Sequence, residues 1–170
     1  MTLLKAYNIY KKGITTMNKG VDVITISLML AMVGVVFYQV IMRQIFERPP
    51  IWGEEISVTF MVWFVFLGIV LGLEENLHIG ITMFVAKLPQ KVQFVIEVIV
   101  NLLILVLSVV LVIFGYSLAS RMWGFGTALP ATGIPAAVHY AVIPIAGVLM
   151  ALVILGKIAE QILNRKELLK

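Results

Sequence analysis

Two pairs of adjacent carboxylates, Glu54-Glu55 and Glu74-Glu75, bracket the uncharged stretch 56–73, and His78 follows the second pair. Paired carboxylates suggest acid–base chemistry, and Glu-x-x-His spacing suggests metal ligation, because residues three apart share a helical face. Carboxylate-bridged dimetal sites take two such motifs and two further glutamates from a helical bundle. This chain has one motif, so no metal is expected. At 1.5 Å per residue the eighteen residues of 56–73 reach ~27 Å, close to the ~30 Å hydrocarbon core of a bilayer. The two carboxylate pairs therefore mark opposite membrane surfaces and do not share a site.

The pairs differ electrostatically. Glu54 and Glu55 open the helix, where its dipole favours negative charge by ~0.3–1 kcal/mol, so helix start and membrane border account for them. Glu74 and Glu75 close it, against the dipole and on the side where the lipid is anionic, and so call for partners. His78, three and four residues on, can pair with either. His139 begins the fourth apolar segment on the other side, beside Tyr140, which suits the aromatic belt. Histidines at opposite surfaces cannot ligate one haem at both axial positions. The sequence has no phosphate loop, no G-x-S-x-G elbow, no H-E-x-x-H pair and no cysteine, so neither enzyme chemistry nor a cofactor is expected.

The elements that must position these residues are helices. Of 170 residues, 61% are hydrophobic and 13% charged, and the mean hydropathy is +1.05, whereas soluble domains carry about a quarter charged residues. Spans are predicted at about 21–42, 56–73, 94–118 and 138–158 in one all-α transmembrane domain, residues 1–170. Ten of the thirteen Lys and Arg residues fall before the first span, between the second and third, or after the fourth; Arg43, Arg48 and Arg121 fall on the other side. The positive-inside rule thus places both termini in the cytoplasm. The net charge of +4 follows from this topology and gives no support for nucleic-acid binding.

Residues 3–18 read as an amphipathic helix on the cytoplasmic leaflet, its lysines drawn to anionic lipid, and 79–88 as a second interfacial segment ended by Pro89. The outer loops are a stiff turn around Pro49-Pro50, and a longer one where Trp123 and Phe125 sit among turn formers and suit a partner or the interface. Gln93, Glu97, Asn101 and Ser108 fall within about 80° on the third span, facing either this chain's own helices or another membrane protein. Gly68 with Gly72, and Gly147 with Ala151, permit close helix approach. Pro144 should bend the fourth helix. With no matched pair of broken spans, a self-contained secondary transporter is disfavoured.

Arg43 after a Gln39-bearing span, Trp52-Gly53-Glu54-Glu55, Phe66-Leu67-Gly68, Glu74-Glu75-x-x-His78-Ile79, Leu88-Pro89, Ile134-Pro135, Tyr140 and Ile143-Pro144-Ile145 occur in an order that resembles the small membrane subunit of TRAP transporters, the tripartite ATP-independent periplasmic transporters. Where members often carry Val-Asp after the His-Ile step, this chain has Ile81-Thr82. The resemblance implies a bacterial inner-membrane complex. In it a periplasmic substrate-binding protein captures an organic acid, such as a sialic acid or a C4-dicarboxylate, and a large membrane subunit moves it with sodium. The small subunit is non-catalytic, scaffolding the large one and helping to dock the periplasmic protein. Arg43, Trp52, Glu54, Glu55, Trp123 and Phe125 outside and Glu74, Glu75, His78 and Glu97 inside are then expected as contacts that fix the helices against each other or against a partner subunit, with membrane lipids around the spans. The alternative is a haem- or metal-binding membrane anchor of a redox complex.

Overall fold

Residues 2–45 contain no proline, and one unbroken helix, α1 (Thr2–Ile45), runs through them in a computed structural model of the protein. The model describes the backbone of residues 2–74 and 89–168, with side chains for residues 10, 12–74, 89 and 92–161. Glu75, His78 and the segment 79–88 lie outside the described residues. The separate interfacial helix expected at 3–18 is instead the first part of α1. Steps of three and four residues carry one buried stripe along it through Tyr10, Ile14, Asn18, Val21, Thr25 and Leu28, so its inner part packs on the protein through the same face as the span above it.

The helix ends where the double proline approaches. Glu47 takes a left-handed φ of 54° and the Arg48 amide turns back to the Met42 carbonyl at 3.2 Å, because the residue before a proline avoids the helical region. After Pro50 begins α2 (Ile51–Glu74). Pro89 caps α3 (Gln90–Gly124), its carbonyl accepting from the Val92 and Gln93 amides at 2.8 and 3.1 Å, as expected of a proline at a helix start. A short hairpin follows, closed by Leu129 N–H to Ile134 O and Ala136 N–H to Thr127 O, both 2.8 Å. Its turns use Gly126 at φ 61° and Gly133 at φ 71°, values that cost glycine little.

The fourth span is broken into α4 (Ala136–Tyr140) and α5 (Val142–Leu168). Pro144 has no amide for the Tyr140 carbonyl four residues back, and its ring crowds that carbonyl, so the interruption falls at Ala141. Ala141 itself keeps a helical φ of −61° and ψ of −26°, and the Ile145 amide still reaches the Ala141 carbonyl at 3.4 Å, so the interruption is local to this one residue. Four segments, Lys12–Ile45, Ile51–Glu74, Val92–Gly124 and Ala136–Gln161, are long and apolar enough to cross a membrane, and each extends beyond its predicted span at one or both ends.

The helices form a row, α1 on α2, α2 on α5, α5 on α3, closed only by a smaller contact of α1 on α5, and α3 packs on neither α1 nor α2 among the described residues. Close approach of α3 and α5 depends on glycine. A Cβ at Gly147 would lie 2.9 Å from the Ser108 carbonyl oxygen, and one at Gly115 would lie 2.9 Å from the Pro144 nitrogen. Between α2 and α5 a small core gathers Val70, Leu73, Ala146, Met150 and Val153. A row one helix thick leaves most apolar surface outward: only 6% of the most apolar window of the first span is buried, and 33% of that in the fourth. Such a surface belongs in lipid or against another membrane protein.

Candidate functional site

The outer end of α2 is built on residues four apart. Glu55, Thr59 and Trp63 fall on one helical face and all three reach the segment 131–139. The Glu55 carboxylate accepts from the Ala131 amide at 2.8 Å with one oxygen and from the Thr132 amide and hydroxyl, both at 2.9 Å, with the other. Three donors to one carboxylate make a charge-assisted clamp, which holds the hairpin against the helix start. The Thr59 hydroxyl donates to the Glu55 carbonyl at 2.8 Å and lies 3.0 Å from His139 Nδ1. The Trp63 indole N–H donates to the Val138 carbonyl at 3.1 Å, just before the break in the fourth span.

A second face of α2 meets α1. Gln39 Nε2 donates to the Ser57 hydroxyl at 2.9 Å, and that hydroxyl donates to the Gly53 carbonyl at 2.8 Å. A Cβ at Gly53 would sit 2.5 Å from Gln39 Cδ, so the glycine makes room for the amide. Tyr38 and Trp52 stack nearby, their ring centroids 6.0 Å apart. Glu54, on the uncovered side, has no partner among the described residues. It borders an open cleft of about 510 Å³, lined also by Ile51, Val58 and the hairpin residues Leu129, Pro130 and Ala131.

At the inner end the polar groups tie helices to each other. Asn18 Nδ2 donates to Glu74 Oε2, and Lys157 Nζ donates to the Leu73 carbonyl, whose helical acceptor site is vacant at a C-terminus. Asn18 is only 3% exposed, and its Oδ1 finds no partner among the described residues. The Tyr10 hydroxyl donates to the Leu152 carbonyl, and its ring fills the notch at Gly156, where a Cβ would lie 2.8 Å from Tyr10 Cε1. Gln161 Nε2 donates to Glu97 Oε2 at 3.2 Å.

The sequence-predicted residues therefore separate. Glu74 and Glu97, expected to hold helices of this chain to each other or to a second subunit, have partners inside this chain. The polar arc of α3 faces α5, with Ser108 fully buried and Asn101 nearly so. Arg43, Trp52, Glu54, Trp123 and Phe125 lie exposed at the outer end. Gly147 makes the close approach expected of it, whereas a Cβ at Gly68 would meet nothing within 4 Å. Gly72 and Ala151 are half-buried. No three His, Asp or Glu side chains gather as metal ligands among the described residues. Thr59, Trp63, Asn18 and Lys157 are functional neighbours that motif reading passes over. The four-residue spacing of Glu55, Thr59 and Trp63 was the available signal for two of them.

A multi-pass helical membrane protein with cross-linked span ends and an outward apolar surface is the class these features define. Residues 32–164 match the sequence profile of the DctQ component of the tripartite ATP-independent periplasmic transporters. A TRAP transporter small permease protein of Haemophilus influenzae is 30% identical over 145 residues, 85% of this chain and 89% of that protein. The sialic acid TRAP transporter small permease protein SiaQ of Vibrio cholerae is 28% identical over 100 residues, 59% of this chain and 58% of its own. A third relative, the sialic acid TRAP transporter permease protein SiaT of Haemophilus influenzae, is 29% identical over 89 residues, 52% of this chain but 14% of that protein. The chain belongs to the DctQ family of TRAP transporter small permease subunits.

Proposed function

We propose that this chain is the non-catalytic small permease subunit of a sodium-coupled TRAP transporter for an organic acid, of the sialic acid or C4-dicarboxylate class. It scaffolds a large membrane subunit and helps to dock a periplasmic substrate-binding protein. It lies in the bacterial inner membrane with both termini in the cytoplasm, an orientation that its lysine and arginine distribution supports.

The observation that carries this reading is the match to SiaT, where a segment like this one makes up a small part of a much longer permease polypeptide. Two functions joined in one relative's chain imply contact between the corresponding separate chains. The row of helices supports a scaffold role, because its polar groups are spent on holding helices together at the two ends. A path for an acid would need polar groups converging near the middle of the spans. Sialic acid in the names of two relatives supports that substrate class for this chain too.

The test is co-expression with the neighbouring large permease gene, purification through a tag on this chain, and uptake by proteoliposomes supplied with the periplasmic protein. The large subunit is expected to copurify, and sodium-dependent uptake to require both membrane chains. A monodisperse isolated chain with no copurifying large subunit, or uptake without this chain, overturns the reading. A bound Soret-absorbing chromophore would instead favour the redox-anchor alternative.

A further inference from the structure

One side of α2 carries a second line of residues at steps of four and three: Glu54, Val58, Met61, Val65, Gly68 and Gly72. Alternating steps of this kind keep one face of a helix toward a partner helix over its whole length. No helix among the described residues fills that role here. Val58, Met61 and Val65 are 43, 48 and 40% exposed, and Gly68 opens onto free space. At the outer end the line enters the cleft of about 510 Å³ between α2 and the hairpin. There Glu54 stands against apolar walls with no partner among the described residues, while its neighbour Glu55 is fully engaged with Ala131 and Thr132.

The exposed side of α3 is different. Leu102, Leu103, Val106, Val110 and Phe114 face outward with no polar group among them, and hydrocarbon chains satisfy such a surface. The α2 side does not fit lipid alone, because a carboxylate at the mouth of an apolar cleft is best neutralised by a fixed cation with an apolar stem. Complementary charge at a protein contact also sets its register.

We infer that this face of α2 seats a transmembrane helix of the large permease subunit, which brings a lysine or arginine side chain into the cleft against Glu54 and packs closely at Gly68. The inference rests on the small-subunit reading above and adds where the partner binds. The match to the longer SiaT permease chain supplies the choice of partner, and the two carboxylates lining the cleft, Glu55 bound to the hairpin and Glu54 left over, supply the chemistry of its anchor.

The test places a photo-crosslinking amino acid at Val58 or at Leu103 in the full chain, co-expressed with the large permease subunit and the periplasmic protein in bacterial membranes. Irradiation is expected to join the Val58 probe, and not the Leu103 probe, to the large subunit. Glu54→Lys is expected to cut the copurified large subunit by about tenfold or more, and a Lys or Arg to Glu change in the large subunit should restore it. The Glu54→Lys chain purified alone should stay folded with only a small drop in thermal midpoint, since Glu54 holds no internal hydrogen bond and loses only its favourable place at the helix start. Capture of the large subunit from Leu103, capture of the periplasmic protein from Val58, lipid adducts only at Val58, or undiminished copurification with Glu54→Lys overturns the inference. Failure of the unmodified pair to copurify sinks the functional reading itself, whereas normal copurification with a silent Val58 probe sinks only the placement.

Discussion

The two ends of α2 are held by different kinds of bond. At the outer end Glu55 and Trp63 bind mainly backbone groups of the hairpin and α4, with the Thr132 hydroxyl and, for Thr59, the His139 ring as the side-chain partners there, so the recipient needs the right path more than the right sequence. At the inner end Asn18 meets Glu74, a pairing that needs both side chains, and Lys157 closes a bare helix terminus at Leu73. The outer end can therefore vary its loop residues while keeping its shape. The inner end cannot change one member of its side-chain pair without leaving the other stranded.

A change between the ends sets the scale. Gly147→Val puts new atoms against the Ser108 carbonyl and the Val112 amide, backbone that cannot step aside, and should destabilise the chain by about 1–3 kcal/mol, the usual range for overpacking. Gly68→Val, facing open space, should leave the thermal midpoint of the isolated chain nearly unchanged. Equal losses in the two variants would mean that α3 and α5 are not pressed together as described.

The inner end comes next. Glu74→Ala leaves the Asn18 amide buried without its bond, at a cost of about 1–3 kcal/mol, read from unfolding in mild detergent with added denaturant. Asn18→Leu combined with Glu74→Leu should recover much of that loss, because an apolar pair strands nothing. Should the double variant be as unstable as the sum of its parts, the side-chain pairing at this end is not what holds it.

At the outer end the larger readout is local. Glu55→Ala should speed hydrogen exchange at the Ala131 and Thr132 amides by roughly tenfold or more while exchange in the middle of α2 stays slow, since it releases a loop and not a helix. Loss of protection throughout α2 would erase the contrast between the ends. The smallest expected effect is that of Trp63→Phe, which keeps the ring but removes the donor to Val138, at about 1 kcal/mol. An unchanged midpoint would show that the Val138 carbonyl has another donor.

The helical content and the four spans were legible from hydropathy alone, because a spanning segment must satisfy its backbone internally and lipid tolerates few charges. Pro144 and Pro89 also announced their breaks through the missing amide. What the local pattern could not yield was pairing. Glu74 called for a partner that the local pattern could not name, because Asn18 lies 56 positions away in a stretch read as a surface helix. Likewise Glu55 was explained by the helix dipole alone, and the Ala131 and Thr132 amides it holds carry no side-chain signature of that bond. Periodicity did contain the 55, 59, 63 line, since three polar or half-polar residues four apart share one face. Only the fold shows that the line meets the hairpin and α4.

The contact between Tyr10 and the Leu152 carbonyl also bears on the order of assembly. It joins positions 142 apart in the chain, so α1 cannot complete its docking until α5, made later, has been threaded into the bilayer. Formation of this row is therefore governed by a late, long-range closure. Until then the notch at Gly156 is unformed and the face of α1 that carries Tyr10 and Ile14 waits in the nascent chain for its counterpart.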